Sequence, residues 1–232
     1  QRRSGTDPPW ERLSSGEFDL AVVPADRIAR LSPNFRIFRG LFVFQRISDA
    51  FQFIYDEERR LLDTSLEETS LVGLSWWGGE LLQLAGRWEL TSPAQLHGLR
   101  MATRDGRFRH LGAEIVPLPP SEFYTGLQRG VVETVECSLA TADRLREVLT
   151  TVTLTNHRFA AWVLVADRNR WRSLDPDTAR NIRSILREAG RLQEAAPLYA
   201  RYCKHYPATR LADDALFKGS LKTYLDNVGA IS

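Results

Sequence analysis

The sequence predicts an α/β fold built on parallel strands and followed by an α-helical tail, and three observations carry that prediction. Residues 111–138 read as strand (113–117), Pro-Pro turn, helix opened by Ser121 with Glu122 in its first turn, and a second strand after Gly130. That succession is one right-handed βαβ unit, the building block of a parallel sheet. Short apolar runs at 18–23, 71–76 and 163–166 alternate with helical patterns over 48–62 and 140–149. From residue 177 onward only helical patterns follow.

In chain order, residues 1–12 carry Gly5, Pro8 and Pro9 and read as an irregular lead-in. FDLAVV at 18–23 follows Gly16 as a strand. In 48–62, Ser48 stands at the N-cap position, and Phe51, Ile54, Tyr55, Leu61 and Leu62 supply the apolar face. LVGLSW at 71–76 is the next strand. Within the βαβ stretch Phe123 and Leu127 keep an apolar stripe at helical spacing, while Val131, Val132 and Val135 suit a buried strand. An amphipathic helix over 140–149 leads to TVTLTNHRFAAWVLVAD at 151–167, with its strand at 163–166.

Composition excludes several functions. The chain has 232 residues, 43% of them hydrophobic, enough for one substantial core or two small ones. With 31 basic and 29 acidic side chains the net charge is +2, and no basic block with interleaved aromatics marks a nucleic-acid surface. No apolar run approaches the ~18 residues that span a membrane. The chain opens at Gln1 without a visible signal peptide, so either one has been removed or the chain is a piece of a longer one. Cys137 and Cys203 have neither zinc nor redox spacing, and the histidines at 97, 110, 157 and 205 have no metal spacing. Paired carboxylates, a P-loop and a nucleophile elbow are all missing from the pattern, so neither enzyme activity nor a cofactor is expected.

The run Ser121, Glu122, Phe123, Tyr124, Thr125, Gly126, Leu127, Gln128, Arg129, Gly130, Val131, Val132, Glu133, Thr134, Val135, Glu136 resembles the signature of the solute-binding proteins of tripartite ATP-independent periplasmic (TRAP) transporters. The strand at 18–23, the segment at 33–44, and the stretch 151–176 with His157, Phe159, Trp171, Leu174 and Pro176 continue the resemblance, which covers residues ~13–189. It implies a periplasmic-binding-protein-like α/β fold with two lobes of mostly parallel sheet, incomplete here because the family's first βαβ unit is absent. The implied division is 1–12 lead-in, 13–175 receptor-like region and 176–232 helical tail.

The resemblance also locates a solute site. The family arginine after Gly79 falls on Leu81 or Leu82. The carboxylate-clamping arginine falls on Ala102, with Arg100 and Arg104 two residues to either side on the same strand face. Two readings stand: Arg104 at the strand's C-terminal end substitutes as the anion holder, or Arg100 and Arg104 are both solvated surface arginines. Glu136 is retained, while Cys137 stands in place of an asparagine whose paired hydrogen bonds a thiol cannot reproduce. The ligand-binding residues of a receptor reading are therefore Trp76, Trp77, Arg104, Glu136, Cys137, His157 and Phe159.

Beyond residue 189 the resemblance ends. In 190–207 the positions of Gly190, Leu192, Ala195, Tyr199, Tyr202 and Pro207 fit the second helix of a tetratricopeptide repeat, with 177–189 as the helix before and 211–225 as the first helix of a following repeat. Two functions remain. The favoured one is a receptor-like scaffold or assembly subunit that docks other proteins of an envelope or membrane-associated complex. Replaced anion contacts, the missing first unit and the altered tail support it. The alternative is a periplasmic solute-binding receptor working with TRAP membrane subunits. It holds a small organic solute, neutral or apolar, or anionic and held by Arg104, between two lobes that close about a hinge. Both are periplasmic and neither involves nucleic acid.

Overall fold

Two strands of exceptional length organise the fold of the computed structural model, which describes residues 9–103 and 105–191. In order the elements are α1 (Pro9–Ser14), β1 (Leu20–Pro24), α2 (Ala25–Ile28), α3 (Ile47–Asp56), β2 (Leu71–Gly86), β3 (Arg100–Ala102), β4 (Glu114–Ile115), α4 (Phe123–Gln128), β5 (Thr134–Ser138), α5 (Leu139–Arg144), β6 (Thr151–Asp167), α6 (Arg168–Arg172) and α7 (Pro176–Arg191). Short 3-10 and π turns fill several of the gaps. β2 has 16 residues and β6 has 17, beyond the usual 3–10. Both contribute to each of two compact units: one holds the described residues up to Glu80 and from Phe159 onward, the other Leu81–Arg158.

In the first unit β1 pairs antiparallel with β6, Leu20 opposite Ala166 and Val23 opposite Val163. Its core is aromatic. Trp76 and Phe38 lie 5.4 Å apart between ring centroids, and Phe159 packs edge-on against Phe44 and Phe51. A Cβ on Gly79 would overlap the Phe159 ring, so the strand needs glycine there for close approach. The expected strand over 71–76 runs ten residues further because Gly78, at φ +83°, bends the strand without ending it.

α7 lies on this unit. Leu186 packs against Val72, Leu74, Leu164 and Ala166 beside Trp77 and Trp171. Arg187 donates to Asp63 (2.8 Å) and to the Leu74 carbonyl (3.2 Å). The helix read as the opening of a repeat thus sets Leu186 against the α/β core, while Ile185 stays exposed. The repeat-like stretches at 190–207 and 211–225 lie outside the described residues, apart from the last two residues of α7.

In the second unit β3 pairs in parallel with β4 on one side and with β5 on the other. The expected βαβ unit is present as β4, α4 and β5, with β3 inserted between its strands. β5 in turn pairs antiparallel with β2, Leu82 opposite Ser138 through Gly86 opposite Thr134. The sheet is therefore mixed, not mostly parallel as expected, because the long strands run counter to their neighbours. Helical lengths also differ from the reading: α1 begins at Pro9 inside the lead-in, and the helix expected over 48–62 ends at Asp56 before a π turn at Arg59–Asp63.

Candidate functional site

A buried polar cluster in the second unit joins Thr103, just past β3, to Glu136 in the middle of β5 and to His157 and Arg158 in the middle of β6. Its centre is Glu136, 8% exposed, on a strand whose residues are all buried. The Thr103 hydroxyl donates to Oε2 (2.5 Å), while His157 Nε2 and Arg158 Nη2 each donate to Oε1 (2.9 Å). The other imidazole nitrogen, Nδ1, lies 2.7 Å from the Thr155 hydroxyl, and the ring meets Phe108 edge-on. Burial works to raise the Glu136 carboxyl, but the His157 hydrogen bond, the charges of Arg158 and His157 and the Thr103 hydroxyl outweigh it and hold the group at about 2.

Backbone geometry places these groups. Asn156 sits in mid-strand at φ +46°, a left-handed conformation that asparagine tolerates better than most residues. Gln83 of β2 locks it there: its amide donates to Asn156 Oδ1 (2.5 Å) and its carbonyl accepts from the Asn156 backbone N–H (2.9 Å). The next residues, His157 and Arg158, both turn to Glu136. Below them Asp105 receives Arg107 in a two-pronged ion pair, with Arg107 Nη2 2.6 Å from Oδ2. Burial opposes ionisation of Asp105, yet the Arg107 bonds prevail and hold it below the usual carboxylate range. Among the described residues no group of His, Cys, Asp and Glu is arranged to hold a metal ion.

The sequence-named residues fall in both units. Glu136 and His157 come together as described. Cys137 is buried in the apolar core with Ala85, Val135 and Phe123, and Ala102 is fully buried in the same cluster. The two positions that the resemblance marks for an asparagine and an arginine are thus core positions here. Arg100 pairs with Glu133 on the surface (3.4 Å). Arg104 lies outside the described residues.

In the first unit Trp76 is buried among Phe35 and Phe38 with its indole nitrogen lacking a hydrogen-bond partner, Phe159 is buried, and Trp77 is half-buried against the α7 cluster. Sequence reasoning passed over Thr103, Gln83, Asn156 and Arg158. The available signal was an asparagine and an arginine interrupting an apolar-alternating strand on either side of His157.

Comparison with known proteins sets this cluster in context. The family DctP, bacterial extracellular solute-binding protein, family 7, matches residues 6–197. The 2,3-diketo-L-gulonate-binding periplasmic protein YiaO of Escherichia coli K12 is 25% identical over 189 residues, covering 78% of this chain and 58% of its own length. The chain thus spans little more than half of that relative. A TRAP periplasmic solute-binding protein of Pseudomonas aeruginosa with bound L-malate superposes with a TM-score of 0.77 at 20% identity, over 94% of this chain and 82% of the other. One from Chromohalobacter salexigens with bound D-glucuronate also gives 0.77 at 20% identity, over 96% and 77%. At that identity the structures establish the fold alone: a periplasmic-binding-protein-like α/β architecture. With most of its length matched by the family pattern, the chain belongs to the bacterial extracellular solute-binding proteins of family 7.

Proposed function

We propose that this chain is the solute-binding component of a TRAP transporter, a periplasmic protein that captures a small organic acid and presents it to TRAP membrane subunits. Members of the family bind solutes and are not enzymes, so the chemistry is recognition without bond making. The observation that carries the reading is the family match, together with the buried Glu136–His157–Arg158 cluster, a costly arrangement of buried charge. A docking scaffold has no need of such a cluster, and the relatives' names point to solutes. This favours the receptor over the assembly subunit expected from the replaced contacts.

The solute class follows from the relatives: dicarboxylates such as malate, and sugar acids such as glucuronate or diketogulonate. Arg104, two residues beyond β3, and Arg158, only partly buried, are the cations we assign to its carboxylate. His157 is assigned to orienting the Glu136 carboxylate, and Cys137 to packing in the core beside it. A thermal-shift series with L-malate, succinate, D-glucuronate and neutral sugars tests this. One acid should raise the melting temperature by several degrees, an effect lost in Arg104→Ala or Arg158→Ala. No stabilisation by any acid, or stabilisation indifferent to both substitutions, would return the scaffold reading to first place.

A further inference from the structure

Asn156 is one of two non-glycine residues among the described ones with positive φ, and the one that has it inside a strand. Such a conformation persists only where its surroundings enforce it, and strain of this kind gathers at functional sites. Here the enforcing residue is Gln83. Its Oε1 accepts from the Asn156 backbone N–H, which turns its NH2 toward Asn156 Oδ1, and the same NH2 reaches the Leu81 carbonyl (3.3 Å). Both side chains are buried, so replacing either leaves polar groups without partners.

The effect falls on the residues that follow. Neighbouring side chains of a regular strand point to opposite faces. Val152 and Leu154 pack on the apolar side of β5 with Val135 and Cys137, whereas Thr155 and His157, joined through the hydroxyl and Nδ1, lie on the Glu136 side. Strict alternation would send Arg158 back to the side of Val152 and Leu154. Instead Arg158 and His157 donate to the same oxygen of Glu136, each at 2.9 Å.

We propose that Gln83 and Asn156 are positioning residues for anion recognition: the left-handed turn they hold brings Arg158 to the Glu136 side, where its guanidinium serves the solute carboxylate. This rests on the receptor reading, which assigns Arg158 to that carboxylate. Neither Gln83 nor Asn156 has to touch the solute. Without the turn the Arg158 charge would be directed into the apolar side of β5, where it has no counter-charge in the Val135–Cys137 cluster, and β6 would have to shift to avoid burying it. An acid would then lose a charge-assisted contact that only a correctly aimed guanidinium supplies.

The experiment joins calorimetric titration of the full chain with D-glucuronate and L-malate to a double-mutant cycle in urea. Asn156→Val, whose β-branched side chain disfavours a left-handed backbone, should weaken acid binding by about ten- to a hundred-fold. Asn156→Gly loses the same Oδ1 acceptor but keeps the turn, and should bind close to wild type. A merely structural role for the Gln83–Asn156 bonds predicts equal losses in the two variants. Asn156→Ala, a milder form of the same change, replaces the valine variant if that does not fold. In the cycle, Asn156→Val and Arg158→Met should be non-additive by about ten-fold in the unfolding equilibrium constant, because the second change removes the charge that the first misplaces, whereas Asn156→Gly and Arg158→Met should be additive. Equal losses of affinity in the glycine and valine variants, or additivity of Asn156→Val with Arg158→Met, would overturn the inference. A wild type that binds neither acid while the cycle shows the coupling would refute the receptor reading instead, and the placement of Arg158 by the turn would stand.

Discussion

Replacing Glu136 by glutamine tests the centre of the cluster with the least change in shape. The carboxylate accepts from Thr103, His157 and Arg158 at once, and an amide offers one acceptor oxygen and turns an NH2 toward one of these donors. The magnitude follows from the carboxyl being held at about 2 against 4.5 ordinarily. At 1.36 kcal/mol per unit, that is about 3 kcal/mol of stabilisation of the ionised form in the folded state. For a chain of this size each kcal/mol moves the melting temperature by about 2–4 °C, so Glu136→Gln should melt about 6–12 °C lower at neutral pH.

The sign of the pH dependence is fixed. Because the folded value lies below the unfolded one, the contribution is complete above about 4.5 and is lost as pH falls toward about 2. Wild type and variant should therefore differ by a constant amount from neutral pH down to about 5, then converge. Urea titrations across that range measure it. A variant as stable as wild type at neutral pH, or a difference that does not shrink in acid, would refute the view that Glu136 is ionised and held by its three donors.

Other perturbations probe neighbouring features. Ala102→Arg, which restores the cation that the resemblance implies, should be worse than neutral: it buries an unpaired charge in the β5 core, and a loss of about 3 kcal/mol or more, or insolubility, is expected by chemical denaturation. Gly79→Ala should cost about 1–3 kcal/mol through overlap with Phe159, partly relieved by a second substitution, Phe159→Leu, in a double-mutant cycle. Gln83→Leu removes both bonds to Asn156 and should cost about 1–3 kcal/mol, while Asn156→Gly, which keeps the left-handed backbone without strain, should cost less than Asn156→Ala. Arg187→Ala should release the α7 anchor to Asp63 and increase hydrogen exchange in that helix before the rest of the first unit.

Strand positions and the βαβ unit were legible because continuous apolar runs and turn chemistry are local signals. The lengths of β2 and β6 were not. Gly78-Gly79 reads as a break in sequence, and only the Phe159 ring packed on Gly79 shows why glycine continues the strand there. The mixed character of the sheet depends on which strands neighbour each other, and no window of residues contains that. Glu136 was found through its motif, but its donors come from 33, 21 and 22 residues away, so the cluster was invisible as a cluster. The replaced contacts at Ala102 and Cys137 seemed to argue against a receptor. Both side chains are core-packed here, and the buried polar cluster beside them is built from neighbouring residues. That is why the scaffold reading outweighed the receptor in sequence and yields to it here.

The strand pairings also imply an order of folding. β1 meets β6 across more than a hundred intervening residues, whereas β3, β4 and β5 pair with one another within residues 100–138. Closing the longer loop carries the larger entropic cost, so in refolding from denaturant β5 should gain hydrogen-exchange protection before β1. Until β1 pairs, Leu20 and Val22 present an apolar strand without its partner, and that interval is when the refolding chain is most open to aggregation.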